Sequence, residues 1–320
     1  MLRYILKRIA CLIPVLAGVV FIVFTLLYFA PGDPAYMALG DHASEADYEQ
    51  YREEIGTNGT YTERLVRYYV GLLHGDLGKS YMSKKAVTDE LSYRFSRTFV
   101  LATFSFVIGS IIGILMGIIS AVKQYSAFDW FSTVFSLIGI STPTFATGFL
   151  FVIIFAVKLG WFPPSGWGGI DIHLILPVMT LSFASIGMVM RATRSSMLDV
   201  LKQDYITTAK AKGQTNLSVI FKHALRNAFI PILTRCSLQY INLLSGSYIA
   251  ESVFAIAGCG SYMVTALNKR NYAAVLGAVI LLGVIAALVN LLTDVLYTSI
   301  DPRLRTEQKR IRKVKAVAKE

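Results

Sequence analysis

Gly78-Lys79-Ser80 is the first stretch whose spacing could support bond-making chemistry, because it reads like the end of a phosphate-binding loop. Such a loop cradles phosphates with backbone amides and needs a further glycine five residues upstream. That position is Leu73, so nucleotide binding there is not expected. His42, His74, His173 and His223 are scattered, without metal-ligand spacing. Cys11, Cys236 and Cys259 are an odd, widely separated set, which argues against a disulfide framework, a zinc site or an iron–sulfur site. No nucleophile is accompanied by a legible base and orienting group. No catalytic, cofactor-binding or metal-binding residue is therefore expected, and the chain does not read as an enzyme.

Residues 191–231 offer mechanical rather than covalent chemistry. They contain two short amphipathic helices. Met197, Leu198, Leu201, Tyr205, Thr208 and Ala209 form the apolar stripe of the first, and Leu217, Ile220, Phe221, Ala224, Leu225 and Ala228 that of the second, at spacings of three and four. Gly213 suits the left-handed position that ends a helix, and Thr215 or Asn216 can cap the next. Lys202, Lys210, Lys212, Lys222, His223 and Arg226 supply the polar faces. Periodicity alone allows two readings: a pair of interfacial helices on anionic lipid, or a docking elbow for a partner.

The elements that must hold this stretch are apolar. Of 320 residues, 54% are hydrophobic and 16% are charged, against about 25% charged in soluble domains. The charges cluster between long uncharged runs, so the net charge of +11 points to membrane topology rather than nucleic acid. A spanning helix needs about 20 apolar residues. Six segments qualify, near Ile9–Ala30, Phe99–Val122, Phe131–Val157, Ile172–Met190, Phe229–Ile249 and Ala273–Tyr297. The first is too long for the core of a secretory signal. The fourth, with Pro177, Ser182, Ser185 and Gly187, is expected to pack inside the bundle or to line a cavity. With the N-terminus inside, Lys and Arg concentrate in residues 1–8 and 191–226 and in the tail from Arg303 to Lys319, while the two short outer loops carry only Lys158, Lys269 and Arg270. This bias predicts a multi-pass protein of the inner or plasma membrane with both termini cytoplasmic.

The residues of the 191–231 stretch resemble the cytoplasmic loop of importer permeases in the ATP-binding-cassette superfamily. Asp204-Tyr205-Ile206, then Ala209-Lys210-Ala211-Lys212-Gly213, then His223-Ala224-Leu225-Arg226-Asn227-Ala228 and Pro231 are similar to the dipeptide, oligopeptide and nickel permease branch. Thr207-Thr208-Ala209 stands where many families have Glu-Ala-Ala. The N-terminal Met-Leu-Arg-Tyr-Ile-Leu-Lys-Arg, Pro31-Gly32-Asp33-Pro34, Leu77-Gly78-Lys79-Ser80, Ser141-Thr142-Pro143-Thr144-Phe145, Glu251-Ser252-Val253-Phe254 with Gly258 and Gly260, and Asp301-Pro302-Arg303 extend the resemblance over nearly the whole chain. It implies an all-α, polytopic transmembrane helix bundle with six spans, like the permeases of type I importers. Residues 1–98 would be an N-terminal span plus external loop, 99–300 the permease core with its cytoplasmic coupling loop at 191–228, and 301–320 a basic tail. Asp204, Tyr205, Thr208, Ala209, Ala211, Lys212, Gly213, Ile220 and His223 would couple to the ATPase.

The same resemblance implies the partners. These are a second homologous permease, two ATP-binding-cassette ATPase subunits or domains, an external substrate-binding lipoprotein or periplasmic protein, and membrane lipid, with no nucleic acid. The implied substrates are di- or oligopeptides, with nickel complexes or glutathione as alternatives. From another class, an ion-coupled secondary transporter would show midplane ionisable residues and inverted repeats, neither of which is clear.

Four further features remain open in the sequence. Gly109, Gly113 and Gly117 permit close helix approach, within the chain or against a partner. Pro143 interrupts the third span as a static kink or a hinge. The stretch near Glu45–Arg67 reads as polar helix in the 31–98 loop, a cap on the outer face or a solvated connector. Arg235, Asp294 and Glu251 are the ionisable residues near membrane depth.

Overall fold

Backbone polar groups that face lipid must be satisfied internally, so long apolar runs form helices. The computed structural model describes residues 2–300 and is helical throughout, with one isolated bridge between Lys79 and Ala86 and no strand among the described residues. The basic tail, including Asp301-Pro302-Arg303, lies outside the described residues. The helices in order are α1 (Leu2–Phe29), α2 (Pro34–Leu39), α3 (Glu45–Glu54), α4 (Tyr61–Leu73), α5 (Val87–Val122), α6 (Ala127–Ser141) and α7 (Thr144–Phe151, continued by a π-helical turn over Val152–Lys158). There follow α8 (Ile175–Leu201), α9 (Asp204–Ala211), α10 (Asn216–Ser218, passing through a π-helical turn at Val219–Leu225), α11 (Arg226–Gly246), α12 (Tyr248–Val253), α13 (Cys259–Asn268) and α14 (Tyr272–Ile300).

Ala10–Phe29, Val87–Val122, Ile172–Leu201 and Tyr272–Tyr297 are each long and apolar enough to cross a membrane. The third expected span is split into α6 and α7 at Thr142-Pro143 and counts as a fifth if the two halves are one crossing. Thr142 is extended (φ −81°, ψ 124°), as a residue before proline prefers. The sixth expected segment is α11, 21 residues long. Arg235, Gln239 and Asn242 make it too polar to be marked as a span by composition. Six crossings are thus the expectation, and length and composition mark four or five. Another departure is α5, which starts twelve residues before its expected span. Its 36 residues make a rod of about 54 Å, well beyond the ~30 Å hydrocarbon core.

The described chain divides into two compact units. One takes the chain up to Thr103 with Thr144–Thr180 and Leu244–Ala286; the other takes Phe104–Pro143, Leu181–Leu243 and the chain from Ala287.

In the first unit, Phe24 and Leu27 of α1, Val87 and Leu91 of α5, Cys259 and Tyr262 of α13, and Tyr272–Leu276 of α14 share a core. The Pro-Gly-Asp-Pro motif is a corner: Asp33 accepts from the Ala35 amide (2.9 Å), capping α2, and from Arg52 Nε of α3 (2.8 Å). The polar helical stretch near Glu45–Arg67 is built as two helices, α3 and α4. Gly56 and Gly59, at φ +70° and +91°, make the break. Glu251 explains the Glu-Ser-Val-Phe motif and its two glycines. Its fully buried carboxylate accepts from the Thr98 and Ser247 hydroxyls and the Ser261 amide, each at 2.7 Å. A Cβ at Gly258 would sit 2.4 Å from its carboxyl carbon, and one at Gly260 2.9 Å from the Tyr248 nitrogen. Glu251 is structural here, joining α5, α12 and α13.

In the second unit, α8 lies between α5 and α6. Cβ atoms placed on Gly109, Gly113 and Gly117 would come within 2.6, 2.9 and 2.6 Å of the Cβ atoms of Ser185, Val189 and Thr193. On the other side of α8, a Cβ on Gly187 would lie 2.7 Å from the Ser136 carbonyl oxygen, and one on Gly139 2.9 Å from that of Phe183. The glycine ladder therefore serves packing within this chain, and the fourth expected span is interior, as its small polar residues implied.

Gly117→Val should lower the midpoint of thermal unfolding in detergent, with an overpacking cost of at least about 1–3 kcal/mol. Gly18→Ala, where nothing lies within 4 Å of the new Cβ, should leave it unchanged or slightly raised. Equal midpoints for the two variants would contradict the close α5–α8 contact.

Candidate functional site

The second unit builds the 191–231 stretch as a helix–elbow–helix. α8 stops at Leu201, and the backbone of Gln203 is extended (φ −78°, ψ 147°), so α9 starts in a new direction. Asp204 occupies its first turn, where a carboxylate complements the amide end of the helix. Thr208 donates its hydroxyl back to the Asp204 carbonyl (3.0 Å). The C-terminus of α9 is closed by a Schellman motif: the Gly213 amide donates to the Lys210 carbonyl (3.0 Å) and the Gln214 amide to the Ala209 carbonyl (3.3 Å). Gly213 has φ +76°, and a Cβ there would meet none of the described residues within 4 Å. Its requirement is conformational, not steric. Thr215 then caps the following helix by accepting from the Ser218 amide (3.3 Å), and Ser218 donates to Gln214 Oε1 (2.7 Å). The left-handed glycine and the threonine cap stand where the sequence places them.

The buried face follows the expected stripes in part: Met197, Ala209, Ala224 and Ala228 are buried, with Leu198, Leu201, Ile220 and Leu225 packed against them. Ile206 and Ala209 of α9 and Val219, Ala224 and Ala228 of the following helix enter a core with Ile118 and Ala121 of α5 and Val189 and Met197 of α8. Tyr205, Leu217 and Phe221, assigned to apolar stripes by spacing, are 43%, 69% and 52% exposed, and Thr208 is exposed too. Two events reset the register. The break at Gln203 rotates α9 relative to α8, and the π-helical turn makes the step from Val219 to Ala224 five positions rather than the four of an α-helix.

Of the residues proposed for coupling, Asp204, Tyr205, Thr208, Ala211, Lys212 and Gly213 are together on the open side of the elbow. Ala209 is not; it is buried beneath them. Ile220 and His223 are half-buried, and His223 Nε2 is enclosed without a hydrogen-bond partner among the described residues. Leu217 and Phe221 belong to the open side, and spacing alone missed this.

The base of the elbow is tied by a buried ion pair that sequence reading did not identify. Asp129, 4% exposed, accepts from Arg194 Nε at Oδ1 (2.7 Å) and from Arg194 Nη2 at Oδ2 (2.8 Å). The Ser120 hydroxyl donates to Oδ1, and the Tyr125 amide to Oδ2 (3.0 Å). One carboxylate thus fastens the end of α5, the start of α6 and the last turns of α8.

A packed base and an exposed elbow suit a subunit that is moved by a partner. The sequence profile of the binding-protein-dependent transport system inner membrane component matches residues 113–306, and the profile of the N-terminal part of such membrane components matches residues 1–102. The chain belongs to this family. It is an integral-membrane permease subunit of an ATP-binding-cassette importer, a transport component whose ATP hydrolysis lies on separate subunits. The permease is 40% identical over 308 residues to the glutathione transport system permease protein GsiC of Pectobacterium atrosepticum, covering 95% of this chain and 99% of that one. It is 37% identical over 333 residues to the dipeptide transport system permease protein DppB of Alkalihalophilus pseudofirmus, covering 95% and 100%. Among solved structures, inward-facing MetNI, a methionine ABC transporter, aligns with a TM-score of 0.56 at 17% identity, over 66% of this chain and 96% of that chain. That likeness concerns the fold.

Breaking the Asp129–Arg194 pair on one side should cost about 3–5 kcal/mol, because it strands a buried charge, whereas neutralising both sides costs far less. Arg194→Met should therefore unfold at a lower temperature than the Asp129→Asn/Arg194→Met double variant. The reverse order would show that the pair is not held as a buried unit.

Proposed function

We propose that this permease subunit pairs with a second, homologous permease to form the pathway for short peptides delivered by an external binding protein. In this reading both termini and residues 191–228 are cytoplasmic, residues 31–98 are external, and lipid surrounds the apolar helices. Relatives named for dipeptide and for glutathione, itself a peptide-like thiol, favour one substrate class that covers both.

The open side of the elbow docks on the ATPase. The observation that carries this is the pairing of an exposed surface, Tyr205, Lys212, Gly213, Leu217 and Phe221, with a buried underside continuous with α5, α8 and α11. A push on the first is delivered to the second. ATP binding then changes the relative stability of inward- and outward-open states, which is the condition for uphill transport.

Gly213 tests the reading. In the reconstituted importer, Gly213→Val places a β-branched residue at a positive φ that costs about 1–2 kcal/mol even before contacts are disturbed. Peptide uptake and binding-protein-stimulated ATPase should fall about five- to thirtyfold, with the subunit still in the membrane. Gly213→Asn, which tolerates this conformation, should stay within about twofold of wild type. Normal coupling in the valine variant would overturn the assignment.

A further inference from the structure

The outer part of α5, before its apolar run begins at Phe99, carries Glu90, Tyr93, Arg94 and Arg97 on adjoining turns. Glu90 and Arg94 are four residues apart, a spacing at which a helical Glu and Arg ordinarily meet as an ion pair. Here they do not. Tyr262 of α13 stands between them: its hydroxyl donates to Glu90 Oε2 (2.5 Å), and its ring lies under the Arg94 guanidinium, 4.6 Å from the centroid. Burial first, and then the bond to Glu90, hold the Tyr262 hydroxyl above its ordinary range, so it remains a donor.

Each charge is therefore oriented by one aromatic side chain and keeps an open edge. Stacking engages the face of a guanidinium and leaves its planar N–H edge free for a carboxylate. Glu90 Oε1 has no protein partner among the described residues. Both charges line one cavity of about 290 Å³ in the first unit, with Ser83, Thr265 and Asn271 on its walls. One turn further on, Arg97 lies over the ring of Tyr93 (4.4 Å) and near that of Trp167 (5.9 Å), and it donates to the Tyr93 hydroxyl. Among the described residues, neither arginine is ion-paired with a carboxylate.

Opposite charges held apart in one small cavity suit a ligand that carries both. Residues four apart on a helix have Cβ atoms about 5–6 Å apart, and an extended dipeptide spans about 7 Å. We propose that Arg94 and Glu90 form a receiving site for a zwitterionic short peptide, Arg94 taking the free α-carboxylate and Glu90 the α-ammonium, with Arg97 as a second guanidinium along the path. The site rests on the peptide reading above and adds a place on this subunit where cargo is recognised.

The test uses the complete importer in proteoliposomes with its binding protein saturated by a dipeptide. Arg94→Gln and Glu90→Gln should each reduce uptake by at least about tenfold, the loss of a charge-assisted contact, while affinity for the loaded binding protein stays at the wild-type value. Arg94→Lys keeps the charge but loses the fork geometry. It should transport at an intermediate rate, and it supplies the answer if Arg94→Gln does not assemble. Unchanged uptake in Arg94→Gln and Glu90→Gln, or in Arg94→Lys where it stands in, overturns the site. So does weakened binding-protein affinity, which would make these residues a protein-docking surface instead. A wild-type importer that carries no peptide at all would instead overturn the peptide reading, and the receiving site with it.

Discussion

Force can pass from an exposed elbow into a helix bundle only if the elbow's underside is packed. Here that packing is the burial of Ile206, Ala209, Val219 and Ala224 against Met197, Ile118 and Ala121. Protein interiors are close-packed and deform little, so a displacement of α9 must be shared with the helices beneath it. The glycine contacts of α5 with α8 and the Asp129–Arg194 pair act in the same direction. They stop the end of α8 from yielding separately. Had the elbow been a solvated loop, the same exposed residues could still bind a partner, but they could not move the bundle.

The two units use their special residues differently. In the second, glycines and one ion pair bring helices together and hold their ends. In the first, a buried carboxylate does comparable work: Glu251 gathers donors from α5, α12 and α13, and Asp33 both caps α2 and anchors α3. Neither carboxylate is arranged for proton transfer along a path, so both acids serve shape. Glu90 differs, because Tyr262 orients it toward a cavity it shares with Arg94.

Much of this was legible in the chain, and the failures have physical causes. Long apolar runs fixed α5, α8 and α14, because lipid leaves the backbone no other choice. Gly213 and Thr215 were readable because a left-handed residue followed by a hydroxyl cap is a local requirement. The ladder of Gly109, Gly113 and Gly117 announced close approach, but not to what; only the fold supplies Ser185, Val189 and Thr193. Part of the buried face of the elbow was misread, at Tyr205, Thr208, Leu217 and Phe221, because neither the break at Gln203 nor the π-helical turn is visible in a spacing of three and four. Asp129 was missed because its partner lies 65 residues away, and the outer turns of α5 because polar residues before a span read as loop.

The central claim is that residues around Gly213 face the ATPase. The direct measurement is disulfide cross-linking of Leu217→Cys, in a Cys11→Ser background, to single cysteines on the ATPase subunit of the assembled importer. The account predicts a cross-link at this exposed position, with protection from impermeant thiol reagents added outside intact cells. Labelling from outside, with no cross-link to the ATPase, would contradict it.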